Sequence, residues 1–528
     1  MLHKRIERFV ALAATVGLFT VGVTACGSST PVQTGTGKTL SFVLDTTANS
    51  KSLAEAITQN LSQFGMKVSI RQWQSTDLIT AEKSGTRQAY MGNWGSAYFD
   101  PYDLTDPKLM TGARGNRSFY SNAQFDQLMT EAASTNNTSV RQQDDYKAQK
   151  ILYHDAPWIF GYYLENVQIA SSRLQGWVPY ADGMEPMAKV SVNSGPNQVT
   201  VALPTNSIIT LDPTASYSDR ITEEVIQNIF DGLVTLSPGK TIEPELAISW
   251  QVNKAGTQYT FNLRHHVVFQ NGQPFTSQDV LFTADKVLGE GPFQGKPSTR
   301  SALIEPPDNS LTVSAPSKYT VVFKFQKPFP VFLYGLMHME IVPAQYYQHV
   351  GAQYFSNHPI GTGPFQYSSG SLSGTVVLTR FDHYWGGRPS LDKVMFQMLP
   401  DPESRVSALL SGSIDLATHL SPDQLTQFKN NSKFQLKSTL GTRAYYIELN
   451  NKMTPFNSLD VRQGLNYAVN WKQILQSLYA GYAHRMATSF LPSGFGFDSQ
   501  INPYPYDPTK AVSLLKKAGY NVHVPSGS

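Results

Sequence analysis

The hydrophobic and polar positions of this chain follow the pattern of strands that alternate with helices. Residues 39–44 are mainly apolar and 66–73 have the pattern of a further strand, and between them the apolar positions of 50–64 recur at helical spacing. Further helices are predicted at 124–133, 139–154, 222–230, 461–479 and 508–518, and further strands at 158–163, 199–203, 259–263, 319–325 and 375–380. The pattern therefore predicts an α/β fold that begins with a strand, a helix and a strand.

A break rich in glycine, serine, asparagine and proline interrupts the pattern at 192–198. From residue 199 the sequence starts again with a strand. The length of 528 residues predicts about three domains, at roughly 100 to 200 residues each. We therefore expect a multidomain chain with a junction near this break.

Composition and charge exclude two classes of protein. The chain is 41% hydrophobic and 15% charged, which is typical of a globular protein and not of a disordered one. Its net charge is +3, and the first 26 residues supply two of these charges through three basic residues and Glu7. The nearly neutral remainder has no basic stripe for a phosphate backbone, so we expect no nucleic-acid partner.

The N-terminus has the features of a lipoprotein signal. Basic residues within 4–8 precede the uncharged run 9–25, which ends in small residues directly before Cys26, the only cysteine. A lone cysteine cannot form an internal disulfide, and the run is at the lower limit for a membrane span. We therefore predict a signal peptide over 1–26 and lipidation of Cys26.

The composition of the segment after Cys26 predicts a flexible link between the lipid anchor and the rest of the protein. Residues 27–38 are mostly glycine, serine, threonine and other polar types, which is typical of a flexible tether. No later segment is long and apolar enough to span a bilayer. We expect a secreted protein that a lipid anchors at the outer face of the cytoplasmic membrane, at the cell surface or in the periplasm.

Spaced sequence blocks between residues 199 and 520 resemble a known family. They are LDP at 211–213, IFDGL at 229–233, EPELAISW at 243–250, YTFNLR at 259–264, NGQPFTSQDV at 271–280, PIGTGPF at 359–365, RFDHYW at 380–385, SGSID at 411–415 and DVRQGLNYA at 460–468. In this order they resemble the family 5 extracellular solute-binding proteins of ABC importers, which include the oligopeptide and dipeptide receptors. The resemblance implies a two-lobed periplasmic-binding-protein-like fold of type II, in its large three-domain variant, with mixed sheets.

The order of the segments differs from the family pattern. Family members continue after the helix that is 507–520 here, whereas 39–190 resemble the family's C-terminal portion in the blocks at 64–68, 93–94, 100–101, 120–122, 125–126 and 155–158. We therefore expect a circular permutation that is cut after Tyr520 and joined near 192–198. A tandem fusion of fragments from two copies, or halves exchanged between two chains, would give the same order.

The resemblance implies lobe limits and partners. One lobe would hold 166–232 and 366–440, with an additional subdomain at 233–365, and the other would hold 39–165 and 441–528. The lobes would close over a peptide or other small solute by hinge motion and deliver it to the permease subunits of an ABC importer. We expect a monomer without a metal or cofactor and without catalytic activity.

Three segments match parts of the family that approach the ligand. The implied ligand-binding residues are Trp94, Gly95, Ser96, Ala97 and Tyr98 after a predicted strand, Tyr217 and Ser218 in a loop, and Arg443, Tyr445 and Tyr446 near a lobe crossing. Each has a structural alternative, because aromatic residues in strands are usually core and an arginine is more often a surface partner.

Two positions depart from the pattern of peptide receptors. Those receptors place an aspartate where this chain has Ala97, and dipeptide receptors place an arginine near 44–46, where no basic residue stands. The nearby Asp100 precedes a proline and is equally well explained by a turn. A buried ligand charge without a partner is costly, so a longer peptide held through its backbone, or a saccharide stacked on rings, fits at least as well as a dipeptide.

Catalytic motifs are weak in this sequence. The GKT at 37–39 lacks the glycine and the preceding strand of a phosphate-binding loop, and adjacent His265 and His266 on a strand would point to opposite faces. No nucleophile elbow or helical zinc motif is present. Besides an import receptor, the sequence leaves open a sensor or scaffold lipoprotein that is not coupled to import.

Overall fold

The computed structural model describes residues 37–215, 220–306, 308–492 and 494–526. Its strands are β1 Ser41–Thr47, β2 Lys67–Trp73, β3 Ala89–Gly95, β4 Trp158–Ser171, β5 Leu174–Gln175, β6 Ser191–Val192, β7 Gln198–Leu203, β8 Val234–Leu236, β9 Ile242–Pro244, β10 Ala247–Val252, β11 Gln258–Leu263, β12 Thr312–Ser317, β13 Thr320–Lys324, β14 Phe365–Gly370, β15 Thr375–Arg380, β16 Lys393–Met398, β17 Leu416–Thr418, β18 Phe434–Leu449 and β19 Ala483–Arg485.

The helices within the same ranges are α1 Lys51–Ser62, α2 Ser75–Lys83, α3 Pro101–Leu109, α4 Ala123–Ala133, α5 Thr138–Asp155, α6 Arg220–Ile226, α7 Ser277–Leu288, α8 Ser301–Ile304, α9 Phe332–Leu336, α10 Ala344–Val350, α11 Ala352–Phe355, α12 Pro402–Ser411, α13 Pro422–Leu425, α14 Leu459–Ala468, α15 Trp471–Tyr479 and α16 Pro508–Lys517. Short 3₁₀ turns lie at Ala48–Ser50 and Gly291–Phe293.

One mixed sheet runs through both lobes of the molecule. Its order is β14-β15-β16-β7-β17-β4-β18-β3-β1-β2, and β19 pairs with β4. The two long strands β4 and β18 are antiparallel neighbours, and their register shifts between Leu440 and Ala444. A Cβ at Gly441 would lie 2.8 Å from the carbonyl oxygen of Leu164, so only glycine lets the two strands approach this closely here. Both strands therefore cross from one lobe to the other at this shift.

Each lobe has its own hydrophobic core on the shared sheet. In the first lobe, β7, β16 and β17 are parallel neighbours, and their core includes Val199, Val201, Val394 and Leu416. In the second lobe, β1 pairs with β2 and β3, and β3 pairs with the later half of β18. Segments from the early and the late parts of the chain therefore complete one sheet.

A separate four-stranded sheet is formed within residues 247–324. Its order is β10-β11-β13-β12, and its core includes Phe261, Phe323 and Phe332. Helix α7 packs beside it; Thr276 forms a capping box at its start, and Gly289, with φ of +71°, ends it. This subdomain faces the loop that follows β3, since the Tyr98 hydroxyl donates to the carbonyl oxygen of Leu303 over 2.8 Å.

The first and the last described segments lie side by side. Lys38 donates to the carbonyl oxygen of Gly519 over 3.1 Å, and the Asn521 amide donates to the carbonyl oxygen of Lys38 over 2.8 Å. Lys38 and Tyr520 form a parallel bridge. The start of β1 is therefore adjacent to the end of α16.

Several predicted elements are corrected by the structure. The predicted strand 158–163 continues to Ser171, because its second half, in which polar residues border a cavity, also pairs with β18. The predicted helix 461–479 is two helices, since Val469 is extended and the Asn470 side chain caps α15 by accepting from the Gln473 amide. The predicted helix 222–230 begins at Arg220 and ends at Ile226. Instead of continuing a strand, His265 and His266 lie in a bend, where His265 stacks on Tyr319.

Candidate functional site

A cavity of about 790 Å³ lies where the two long strands cross between the lobes. The crossing strands supply 164–168, 441–443 and Tyr445 to its wall. The first lobe supplies 181–183, Glu185, Arg220, Ile221, Glu224, 418–421 and Leu425, and the second lobe supplies Asn49, Ser52, Leu53, Leu478, Tyr479 and Tyr482. The cavity is therefore enclosed by both lobes and by the strands that connect them.

Two arginines approach each other at the edge of this cavity. Arg443 donates from Nη1 to the side-chain oxygen of Asn93 over 2.7 Å, and Arg220 donates from Nη2 to the Ser96 carbonyl oxygen over 2.8 Å. A Cβ at Gly95 would lie 3.1 Å from Nη2 of Arg443 and 3.6 Å from Nη2 of Arg220. Neither guanidinium forms a salt bridge with a described carboxylate. The site can therefore present two positive charges to an anionic group.

The side chain of Arg220 also connects the lobes. Besides Ser96, its Nη2 donates to the Thr442 hydroxyl over 3.2 Å, and its Nη1 donates to the carbonyl oxygen of Asp182. Arg220 and Asp182 belong to the first lobe, whereas Ser96 follows the second-lobe strand β3. The hydrogen bonds of this one residue therefore depend on the lobes being close together.

Acidic groups lie on the first-lobe wall of the cavity. Burial raises the pKa of Asp182, and the nearby Arg220 acts in the opposite direction. Burial also raises the pKa of Glu185, which forms a hydrogen bond with Glu224. A further cavity acid, Glu165, pairs with His484 at 2.5 Å. The first-lobe wall therefore concentrates carboxyl groups that are poorly solvated.

One histidine of the cavity wall is neutral at physiological pH. Burial, together with Arg405 and Arg443, lowers the pKa of His419 to about 4. Its Nδ1 lies 2.9 Å from the Thr418 hydroxyl. Among the described residues, no group of three or more His, Cys, Asp or Glu side chains is arranged to hold a metal ion. The wall thus provides neutral hydrogen-bonding groups beside the charged ones.

Tyrosine rings form the second-lobe side of the cavity. Tyr445 stacks on Tyr162 with ring centroids 5.1 Å apart, and the Tyr162 and Tyr479 hydroxyls are 2.6 Å apart. Tyr445, Tyr479 and Tyr482 line the cavity. These rings offer apolar surface with hydroxyl groups at one end, which suits peptides and sugars alike.

The structure places only some of the predicted ligand-binding residues in the cavity wall. Arg443 and Tyr445 line the cavity. Tyr446 lies on the opposite face of β18, where it is buried in the second-lobe core and stacks on Trp158 with centroids 3.8 Å apart. Tyr217, Ser218 and Cys26 lie outside the described residues.

The segment from Trp94 to Tyr98 lies beside the cavity and does not line it. Trp94 is half-buried, and Lys108 Nζ lies 5.5 Å from the centre of its ring. Gly95 lies beneath the two arginines, and Ser96, Ala97 and Tyr98 are buried against the first lobe. This segment therefore joins the lobes next to the cavity.

Acidic residues near Ala97 have structural partners. The Ala97 amide donates to the Asp103 carboxylate, whose pKa burial raises. Asp100 caps α3 by accepting from the Tyr102 amide over 3.1 Å, and it pairs with Arg141 at 2.7 Å. The observed contacts of Asp100 therefore agree with the alternative explanation, in which this residue forms a turn.

Sequence reasoning missed Arg220, Asp182, Glu185 and Glu224. Arg220 and Glu224 lie in a predicted helix or next to it, and Asp182 and Glu185 lie in a segment without periodicity. An available signal was the density of acidic residues over 182–185 in a chain with 15% charged residues. The signal is weak, because surface loops are commonly acidic.

Comparisons with known proteins agree on one family. Residues 241–523 match the family model described as bacterial extracellular solute-binding proteins, family 5 Middle. Heme-binding protein A of Haemophilus influenzae is 30% identical over 311 residues, which cover 56% of this chain and 57% of that protein. The glutathione-binding protein GsiB of an Escherichia coli strain is 30% identical over 329 residues, which cover 61% of each. The chain thus spans about three fifths of the length of these relatives.

A solved structure supports the same assignment. The periplasmic binding protein DppA from Helicobacter pylori, associated with an ABC transporter and in complex with peptide STSA, is 26% identical. It aligns with a TM-score of 0.50 over 61% of this chain and 66% of that chain. Among the helices that the structure describes, none has the length and apolar character of a membrane span. The family model matches more than half of the residues of this chain, so the chain belongs to the bacterial extracellular solute-binding proteins of family 5.

Proposed function

We propose that this protein is a lipid-anchored receptor that captures a peptide or a similar small polar solute between its lobes and delivers it to an ABC importer. The observation that carries the proposal is the cavity of about 790 Å³ at the crossing of β4 and β18. Sites for small molecules typically enclose about 300 to 1,000 Å³ and combine apolar walls with a few polar groups. This cavity has that combination.

The charged groups of the cavity indicate the class of solute. Arg220 and Arg443 can pair with a carboxylate of the ligand, while Tyr445 and Tyr479 provide ring faces for its apolar part. The names of two relatives agree with such a ligand, since one is called glutathione-binding and another was solved with a peptide. Of the sequence-derived residues, we propose Arg443 and Tyr445 as direct ligand contacts and Trp94 to Tyr98 as the adjoining interlobe segment.

Identification of the bound solute tests this proposal. The protein would be purified without denaturation, examined by native mass spectrometry for a co-purifying molecule, and titrated by calorimetry with peptide and saccharide panels. We expect a carboxylate-bearing peptide or peptide-like solute to bind. Binding of neutral saccharides only would favour the tyrosine rings as a sugar site and would contradict the peptide assignment.

The lipid anchor is part of the same proposal. Cys26 follows an uncharged run that ends in small residues, as in a lipoprotein signal. We expect the wild-type protein to fractionate with membranes and its N-terminal peptide to carry lipid by mass spectrometry. The variant Cys26→Ala should be unprocessed or released, and normal membrane anchoring of that variant would contradict the assignment.

We further propose that the segment order is a circular permutation of the family order. In support, the matched region 241–523 excludes 39–165, although those early residues share a sheet with 441–449. The adjacency of Lys38 and Tyr520 is the arrangement that a cut in the original loop would leave. We propose the lobe limits as 39–165 with 441–528, and 166–232 with 366–440 plus the 233–365 subdomain.

A rearranged chain tests the permutation. Residues 198–520 would be followed, through a short Gly-Ser linker, by 38–192. Because the termini of the new order lie near each other, we expect an unchanged circular dichroism spectrum, one cooperative unfolding transition and unchanged solute affinity. Failure of this chain to fold would contradict the permutation, and a dimeric wild type by light scattering would favour exchanged halves.

A further inference from the structure

We propose that the wall formed by Glu185, Glu224 and Gln168 is the subsite for a cationic nitrogen group of the solute, such as the amino terminus of a peptide. This inference rests on the proposed function, because it assigns one end of the captured molecule. It concerns residues of the first-lobe wall and of β4, and it assigns a different group of the solute from the one assigned to the arginine pair.

The three side chains come from separate elements that are fixed to one another. Gln168 lies on the crossing strand β4 and donates from Nε2 to Oε1 of Glu185 over 2.5 Å. Asn228 donates to the carbonyl oxygens of Glu224, over 2.8 Å, and of Glu185, over 3.3 Å, while its own oxygen accepts from the Met187 amide over 2.8 Å. The buried Asn228 therefore holds the loop of Glu185 against α6, and the wall is preformed.

Two acceptor atoms on this wall, one of Glu185 and one of Gln168, have no hydrogen-bond donor within the described parts of the chain. Glu185 is 4% exposed and Gln168 is 2% exposed, and both line the cavity. Oε2 of Glu185 and Oε1 of Gln168 are buried without a partner. A buried acceptor without a donor costs free energy, so a ligand that donates here recovers that cost on binding. An ammonium group carries three N–H donors and no acceptor, which matches such a wall.

The charge of the wall favours a cation over a neutral donor. Asp182, Glu185 and Glu224 all line the same cavity, and no lysine or arginine forms a described salt bridge with Asp182 or Glu185. Arg220 donates to the Asp182 carbonyl oxygen and to the Ser96 carbonyl oxygen, and it forms no described salt bridge with Glu185. Burial raises the pKa of both Asp182 and Glu185; the charge of Arg220 opposes this rise at Asp182 and is not among the causes at Glu185.

A metal ion is a poorer occupant than an organic cation. The described residues contain no group of three or more His, Cys, Asp or Glu side chains that could hold a metal. The amide oxygen of Gln168 and a carboxylate oxygen of Glu185 remain as acceptors, which is the recognition chemistry of an ammonium group. The geometry therefore assigns the wall to a cationic nitrogen.

Calorimetry with two matched peptides tests the subsite. Trialanine and N-acetyl-trialanine differ in the charge and donors of the amino terminus. The wild type should bind trialanine at least about tenfold more tightly, because hydrogen bonds to charged groups are among the strong ones. Glu185→Gln should remove this preference and still bind the acetylated peptide. Glu131→Gln is the matched control, since Glu131 is an exposed carboxylate on α4, outside the cavity.

The outcomes separate the subsite from the function. Preference for the free amino terminus that is lost in Glu185→Gln and kept in Glu131→Gln supports the subsite. Equal binding of both peptides by the wild type overturns it and leaves the receptor function standing. If Glu185→Gln does not fold by circular dichroism, Glu224→Gln takes its place, and an undiminished preference in the folded variant also overturns the subsite. Binding of neither peptide overturns the peptide-receptor function itself.

Discussion

Removal of one oxygen atom from Tyr98 should weaken solute binding although this residue does not line the cavity. The Tyr98 hydroxyl, on the loop after β3, donates to the carbonyl oxygen of Leu303 over 2.8 Å and to that of Ala302 over 3.2 Å. With the proposed lobe limits, donor and acceptors belong to different lobes, so we expect the bond to exist only when the lobes are closed. The variant Tyr98→Phe removes it and keeps the ring.

The expected size follows from the hydrogen bond alone. A net contribution of about 1 kcal/mol to the closed state corresponds to a factor of about five in the ratio of closed to open molecules. If the solute binds the closed state and the free protein is mostly open, its apparent dissociation constant rises by that factor. Calorimetry with the identified solute gives the affinity, and stopped-flow fluorescence gives the dissociation rate, which should increase.

A second tyrosine provides the matched control. Tyr163 is also buried and donates from its hydroxyl to the Ser489 carbonyl oxygen over 3.3 Å, but both residues lie in the second lobe. We expect Tyr163→Phe to lower the unfolding temperature without changing affinity. Affinity and dissociation rate of Tyr98→Phe both within twofold of the wild type, or an equal loss in Tyr163→Phe, would refute the reasoning.

Three further predictions concern separate parts of the molecule. Arg443→Met should weaken binding of trialanine about tenfold or more and leave trialanine amide unaffected, since only the carboxylate pairs with the guanidinium; calorimetry with both peptides decides this. Burial raises the pKa of Glu82 from 4.5 to about 7, so the folded state holds this proton more tightly than the unfolded state, and the cost of ionisation grows between these two pH values. Glu82→Gln should therefore gain stability over the wild type as pH rises through that window, and a constant difference in urea unfolding would contradict it. Tyr446→Ala should cost about 3 to 5 kcal/mol of unfolding free energy by removing the ring that stacks on Trp158, whereas affinity of the folded variant should be unchanged; a selective loss of affinity would place Tyr446 in the site.

The hydrophobic pattern of the sequence predicted those helices and strands that bury one face against a core. The strand at 375–380 has the predicted bounds, and the unit of β1, α1 and β2 lies within three residues of its prediction, because these segments pack an apolar face on a core. The second half of β4 was missed. Its residues Glu165, Asn166 and Gln168 face a cavity, so they are polar where a buried strand is usually apolar.

The site was only partly predictable for a related reason. Arg443 and Tyr445 were found through the resemblance to a family, which carries positional information that periodicity lacks. Arg220 could not be found in this way, since its partners Ser96 and Thr442 are 124 and 222 positions away in the chain. Whether a charge is a solvated surface group or part of a cavity depends on such distant contacts.

The pairing of β3 with β18 has a consequence for biosynthesis. Asn93 and Arg443, whose side chains form a hydrogen bond across these two strands, are 350 positions apart, so β3 leaves the ribosome long before the strand that covers its edge. Until then an incomplete domain exposes an unpaired backbone edge and the apolar face beneath it, which are common starting points for aggregation. Export in an extended form, with folding delayed until the last segment has crossed the membrane, would suit this order of strands.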